Sequence, residues 1–249
     1  LDYFMEQELY FPYIVSVSAG AYAAINYLSR QIGRTKACNV DYIKKKRYIS
    51  WKNLFLKGHL FDMDLLFNHL PNEEIPFDYD RFFSAKEKLV MGVSNCETGE
   101  INYPDHKNDR KLLMNYCQAS NSLPFVADIV RIGGVPYMDG GVVNPIPIQK
   151  AIDDGYKKFI IILTQLKEFR KEPTPIATKL ARMKYGKFPK FVDQIKDRPE
   201  RYNKILDFIE EHNVCSIFQF EIVIEKMSES VINKILNLKN VHLRFEIGI

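Results

Sequence analysis

The sequence predicts an α/β fold: a three-layer arrangement with a mostly parallel central sheet, helices on both faces, and a small C-terminal α/β extension. Three observations predict it. Strand-like and helix-like segments alternate through the first two thirds of the chain, the pattern of strands joined by crossover helices. The strands read as nearly continuous apolar runs, as strands covered on both faces do. Glycines also stand where helices are expected to stop. Composition turns rich in Lys, Arg and Pro after Gln165, so a main domain over 1–165 and an extension over 166–249, packed on it, are expected.

The elements follow in order. Leu1 begins directly inside a helix-like stretch, which suggests residues upstream of it. Residues 13–17 (YIVSV) are β-branched and apolar and predict a strand, and residues 19–32 (AGAYAAINYLSRQI) predict a helix with Gly33 at its C-cap. Residues 88–94 (KLVMGVS) predict a strand, with the turn signal ETGE after it, and 110–119 suit a helix. Residues 135–138 form a short strand leading into Asp139-Gly140-Gly141. A helix over 147–154 ends at Gly155, and 157–164 (KKFIIILT) is the most apolar strand of the chain. Helices around 177–184 and 201–212 follow, then a strand at 214–224, a helix at 228–238 and a last strand at 241–247.

Composition excludes several function classes. With 46% hydrophobic and 27% charged residues the chain reads as an ordinary soluble globular protein. No apolar run approaches the roughly 20 residues a membrane span needs. The opening LDYFMEQELY carries acidic groups where the n-region of a signal peptide is basic. A net charge of +4 is too mild to argue for nucleic acid, and no nucleic-acid partner is expected. Cys38, Cys96, Cys117 and Cys215 are scattered, with no CxxC pair. Reduced thiols in a cytoplasmic protein, with no metal site, are the expectation.

The stretch Tyr13-Ile14-Val15-Ser16-Val17-Ser18-Ala19-Gly20-Ala21 carries the first chemical signal. A strand ends, a serine follows at the turn, and a helix rich in small residues begins at once. Such a turn pushes a serine Oγ out of the end of the sheet. The helix start offers backbone N–H groups and positive potential to a developing oxyanion. The usual pattern is G-x-S-x-G; here Ser16 replaces the first glycine. By itself the segment is equally an ordinary strand-to-helix junction with a capping serine. Between the two serines Ser18 is the candidate nucleophile, because it alone is followed directly by the helix.

Asp139-Gly140-Gly141 is the second signal. An acid at a strand end, with glycines behind it that allow close backbone approach, can be held against another loop and accept a serine proton directly. An ordinary Asp-Gly turn is the alternative.

Taken together the two segments resemble the patatin-like phospholipase family, whose members use a Ser–Asp dyad on an α/β sheet. The resemblance covers roughly residues 1–165. It implies that Ser18 is the nucleophile and Asp139 its base, with Ala19 and Gly20 forming the elbow and oxyanion side and Gly140 and Gly141 the supporting loop. Segments 95–100, 119–124 and 144–147 are similar to family stretches that shape the pocket. It also implies a glycine-rich loop upstream of the first helix, which residues 1–12 do not contain. The implied chemistry is hydrolysis of lipid acyl esters through an acyl-enzyme, with no cofactor. A catalytically silent, lipid-binding relative and an acyl transferase using another acceptor are the alternatives. The substrate is the expected partner, with transient contact to a membrane surface.

The remaining candidates are weaker. A Ser-His-Asp triad would take its histidine downstream of the acid, from His212 or His242. His59 and His69 belong to a wall or cap segment, and His106 to a polar turn. The apolar stretch 51–70 is either core or acyl-chain pocket, and the basic run Lys44–Arg47 and the cations between 167 and 190 are either solvated faces or headgroup contacts.

Overall fold

Residues 1–42, 62–106, 108–163, 165–166, 168–212 and the backbone of 216–217 are described by the structure, a computed structural model. The basic run, Trp51 to Phe61, His59, His242 and the elements expected beyond 217 lie outside these residues.

Helix α1 (Asp2–Glu6) leads into β1 (Tyr13–Ser16) and the buried helix α2 (Ala19–Leu28). A wide, π-type helix α3 (Leu65–Glu74) and α4 (Tyr79–Ser84) precede β2 (Lys88–Met91) and β3 (Val93–Asn95). After β4 (Ile101–Asn102) come α5 (Arg110–Ser120), β5 (Val130–Ile132) and β6 (Val135–Asp139). The described chain ends with α6 (Ile148–Asp153), β7 (Ile161–Ile162), α7 (Pro175–Tyr185), α8 (Pro189–Glu211) and β8 (Ser216–Ile217).

The α/β class stands, but the strand pairing corrects the expectation of one mostly parallel sheet. β1 pairs in parallel with β2, from Tyr13 opposite Lys88 to Ser16 opposite Met91, and β7 pairs in parallel with β8. The largest described sheet, in the order β4-β3-β6-β5, is antiparallel throughout. Connection length is the reason. A parallel pair needs a crossover of about a dozen residues, whereas Gly133 and Gly134, both at positive φ (60° and 86°), turn β5 straight back into β6. The run 88–95 therefore serves two sheets, pairing with β1 before Gly92 and with β6 and β4 after it.

Two further expectations shift. α2 stops at Leu28, and Gly33 (φ 76°) opens the next short turn instead of closing the helix. Arg30 takes the left-handed position (φ 60°). Its guanidinium holds it there by bonding the Tyr27 and Leu28 carbonyls (3.3 Å each), pairing with Glu87 at 2.5 Å and lying 3.5 Å from the Tyr10 ring centre. Of the strand expected over 157–164, the pairing among the described residues is at Ile161–Ile162.

Of the four apolar clusters among the described residues, three join the helices to the strands around the two turns. In the largest, α2 buries Tyr22, Ile25 and Leu28 against Leu66, Phe67 and Leu70 of α3, Leu89 and Met91 of β2, and Leu113 and Cys117 of α5. The second joins Cys96, Met138 and Val142 to Ala181 and Tyr185 of α7 and to Phe191 and Val192 of α8. The third sets Ile146, Ile161 and Leu163 against Tyr202, Leu206 and Ile209 of α8. Helix α8 thus shares cores with both the turn after β6 and the strand β7.

Candidate active site

At the end of β1 the chain crosses into α2 through Ser18, whose backbone takes φ 56° and ψ −141°. A non-glycine residue there carries strain of about 1–3 kcal/mol, so other contacts must hold it. The Ser18 N–H donates to Ser120 Oγ at 2.9 Å, and the Ser18 carbonyl accepts from the Ala21 N–H at 2.8 Å. Its hydroxyl donates to Asp139 Oδ2 at 2.6 Å. Ser18 occupies the N-cap position of α2, yet its side chain makes no capping bond. The capping-serine alternative therefore fails on geometry: the hydroxyl points at the acid, not at the helix.

Asp139 ends β6 and is completely buried (0% exposed). Its backbone is fixed on both sides, the N–H donating to the Ser122 carbonyl at 3.0 Å and the carbonyl accepting from Ser94 Oγ at 2.7 Å. Its carboxylate divides its work. Oδ1 accepts the Gly141 N–H at 2.7 Å, as in an ordinary Asp-Gly turn, while Oδ2 accepts the Ser18 hydroxyl. Each oxygen thus has its own partner, the turn N–H for Oδ1 and the elbow hydroxyl for Oδ2.

Gly140 and Gly92 bring the two turns together. A Cβ on Gly140 would lie 2.3 Å from the Gly92 carbonyl oxygen and 2.8 Å from Val17 Cγ1, so no side chain fits. A Cβ on Gly141 would lie 3.0 Å from Asp139 Oδ1. The same Gly92 carbonyl accepts the Ser120 hydroxyl at 2.8 Å. Ser120 is wholly buried (0% exposed) and joins the backbone of the elbow to the strand beside the acid. From the far side α8 closes the arrangement: Arg198 Nε donates to the Gly141 carbonyl at 2.9 Å and Arg201 Nη1 to the Val142 carbonyl at 3.0 Å.

Against the model described as patatin-like phospholipase, residues 3–152 match, which is more than half of the chain. The chain belongs to the patatin-like phospholipase family. A curated relative from Escherichia coli (strain K12), described as the uncharacterized protein YjjU, is 26% identical over 171 residues, covering 66% of this chain and 46% of the relative. The chain thus spans about half the length of that relative.

Within this patatin-like frame the elbow residues differ in what they require. Gly20 is not forced by packing, since a Cβ there would meet only Ser16 Cβ, at 4.0 Å. The two positions face each other across the elbow, which explains how serine is accommodated where the family pattern has glycine. Ser16 is buried, and its Oγ has no hydrogen-bond partner among the described residues. Ser16 and Gly20 both line an apolar cavity of about 210 Å³ that runs along β1 toward Ile146, Ile148 and Ile161. Ala19 is the first residue of α2, so its N–H is among those without a partner inside the helix.

The competing histidines have other partners. His69 pairs with Glu73 and Glu74 at 3.2 and 3.3 Å, His106 packs edge-on against Phe82, and His212 bonds the Phe208 carbonyl at the end of α8. The described part of the apolar stretch, with Leu66, Phe67 and Leu70, is core. Burial pushes the Cys96 thiol up to about 12, which keeps it protonated and unreactive.

Sequence reading missed Gly92, Ser94, Arg198 and Arg201, and named Ser120 and Ser122 only within a pocket-shaping stretch. A glycine inside a strand pattern is a known mark of close backbone approach, and Gly92 carried that signal. Nothing in the local sequence distinguishes Arg198 from the other cations of α8.

Proposed function

We propose that this protein is a serine acyl hydrolase that cleaves carboxylic esters of lipids, with Ser18 as nucleophile and Asp139 as base. The 2.6 Å hydrogen bond between Ser18 Oγ and a completely buried Asp139 carboxylate, made from a strained strand-to-helix turn, carries this reading. Asp139 Oδ2 takes the hydroxyl proton as Oγ bonds to the ester carbonyl carbon, and the carbonyl π electrons move onto oxygen. The Ala19 N–H, at the positive end of α2, is the donor assigned to that oxyanion. Collapse of the tetrahedral intermediate expels the alcohol, which leaves with the proton from Asp139. Water then attacks the acyl-enzyme, with Asp139 again as base, and frees the carboxylic acid. No step calls for a metal or an organic cofactor.

Hydrolysis of a short-chain p-nitrophenyl ester tests the reading. Ser18→Ala and Asp139→Asn are each expected to lower turnover by about 10³-fold or more, with fold retained by circular dichroism. Equal turnover by all three proteins would sink the dyad. Ser16, with its unpartnered hydroxyl at the position the family gives to glycine, favours one second reading, a lipid-binding relative without turnover. Lipid binding by a wild-type protein that hydrolyses no ester would select it.

A further inference from the structure

Helix α7 is amphipathic in an unusual sense, because both its buried and its outward faces are apolar. Ala181 and Tyr185 are buried at 0% and 1% exposure and pack into the core beneath Met138 and Val142. Ile176, Leu180 and Met183 recur at i, i+4 and i+7, which puts them in one stripe. They are 76%, 48% and 75% exposed, among the most exposed large apolar side chains described. Isolated exposed apolar residues are ordinary; a contiguous stripe of three on one helix face marks an interaction surface.

The charge around the stripe says what it meets. At about 100° per residue, Lys179 falls on one flank of the stripe and Lys184 on the other, with Arg182 beyond Lys179. Lys187, just past the end of α7, and Lys190, in the first turn of α8, follow, and no acidic residue occurs from Pro173 to Val192. All five cations are exposed. An apolar apex between cationic flanks suits the headgroup boundary of an anionic bilayer: the apolar side chains enter the acyl margin and the long cationic ones reach phosphates. A protein interface would more often have its core depleted of lysine.

The helix is also tied to the candidate active site. The Tyr185 hydroxyl accepts the Phe125 N–H at 2.8 Å, and the two rings lie 5.6 Å apart. Phe125 follows directly on the segment whose Ser120 and Ser122 hold the Ser18 and Asp139 backbones. We infer that the outer face of α7, with Ile176, Leu180 and Met183 between Lys179 and Lys184, docks the protein on an anionic lipid surface. The inference goes beyond the hydrolase reading and does not depend on it.

Co-sedimentation of the full chain carrying Ser18→Ala with vesicles tests it, because binding is then read without turnover. Phosphatidylcholine vesicles mixed with phosphatidylglycerol are expected to bind the protein at least tenfold more tightly than phosphatidylcholine alone. Ile176→Ser with Met183→Ser, and separately Lys179→Glu with Lys184→Glu, are each expected to weaken that binding about tenfold or more, since one cation near an anionic surface contributes about fivefold. These side chains are exposed, so both variants should melt like the parent, and each pair tests the surface independently of the other. Equal binding to both vesicle types, or binding unmoved by either pair, would overturn the inference. So would sedimentation velocity showing a dimer that the Ile176→Ser, Met183→Ser variant dissolves, which would make the stripe a contact between two copies. Failure of the ester assay with vesicle binding intact would count against the hydrolase reading alone.

Discussion

Two turns meet at the candidate site, and they reach their shapes by opposite means. At Ser18 the backbone itself is unusual, with φ 56° on a residue that has a side chain, while the space around Gly20 next door is ordinary. At Asp139 the backbone is relaxed (φ −49°), while the space is so tight that Gly140 admits nothing beyond hydrogen. One turn stores strain and the other stores closeness. The difference teaches that a glycine in a motif need not be there for its own backbone freedom, and that strain can sit on a residue kept for its side chain.

The comparison breaks or sharpens at specific positions. The largest effect is expected at Gly140→Ala, where the new methyl meets a carbonyl oxygen with no room to move, a cost of about 3 kcal/mol or more; denaturant unfolding and the ester assay should both register it. Ser120→Ala should cost about 1–3 kcal/mol, because it strips partners from the part-buried Ser18 N–H and the buried Gly92 carbonyl together. If the melt is unmoved, the bridge between the turns is not structural. Ser18→Gly relieves the strained φ and should be more stable than Ser18→Ala by about 1 kcal/mol, although neither should hydrolyse ester. Gly20→Ala, by contrast, should change stability by less than about 0.5 kcal/mol, and a loss as large as at Gly140 would refute the distinction between the turns.

The smallest effect lies away from the site and depends on pH. Hydrogen bonds from Lys150 and then Tyr13 hold the Asp154 carboxyl below the usual carboxylate range. A depressed carboxyl contributes stability above its unfolded value, near pH 4, and that contribution is lost as pH falls through the folded value. Asp154→Asn should therefore lower the melting temperature slightly at neutral pH and leave it equal to wild type once both are acidified below that range.

Much of this was legible in the residues. The strand 13–17 and the helix starting at Ala19 were read from β-branched and small-residue runs, and helix 110–119 came within one residue of α5. The Ser18–Asp139 pairing was legible as two motifs, but only folding could put their side chains at hydrogen-bond distance. Sheet direction was misread because apolar runs report burial and not partner direction; the informative signal was the two-glycine turn Gly133-Gly134, which dictates a hairpin. The role of α8 was invisible for a different reason. Arg198 and Arg201 act through bonds to carbonyls of a distant turn, and a backbone acceptor leaves no trace in its own side chain.

The shared Gly92 carbonyl carries a consequence for how such a protein can change. Both turns hang from one oxygen, through Ser120 on one side and the bare backbone of Gly140 on the other. Stretches of chain between these anchor points can lengthen, shorten or swap side chains while the hydroxyl-to-carboxylate spacing stays put. Under the proposed hydrolase reading, selectivity would then drift across the loops without recalibrating the Ser18–Asp139 pair.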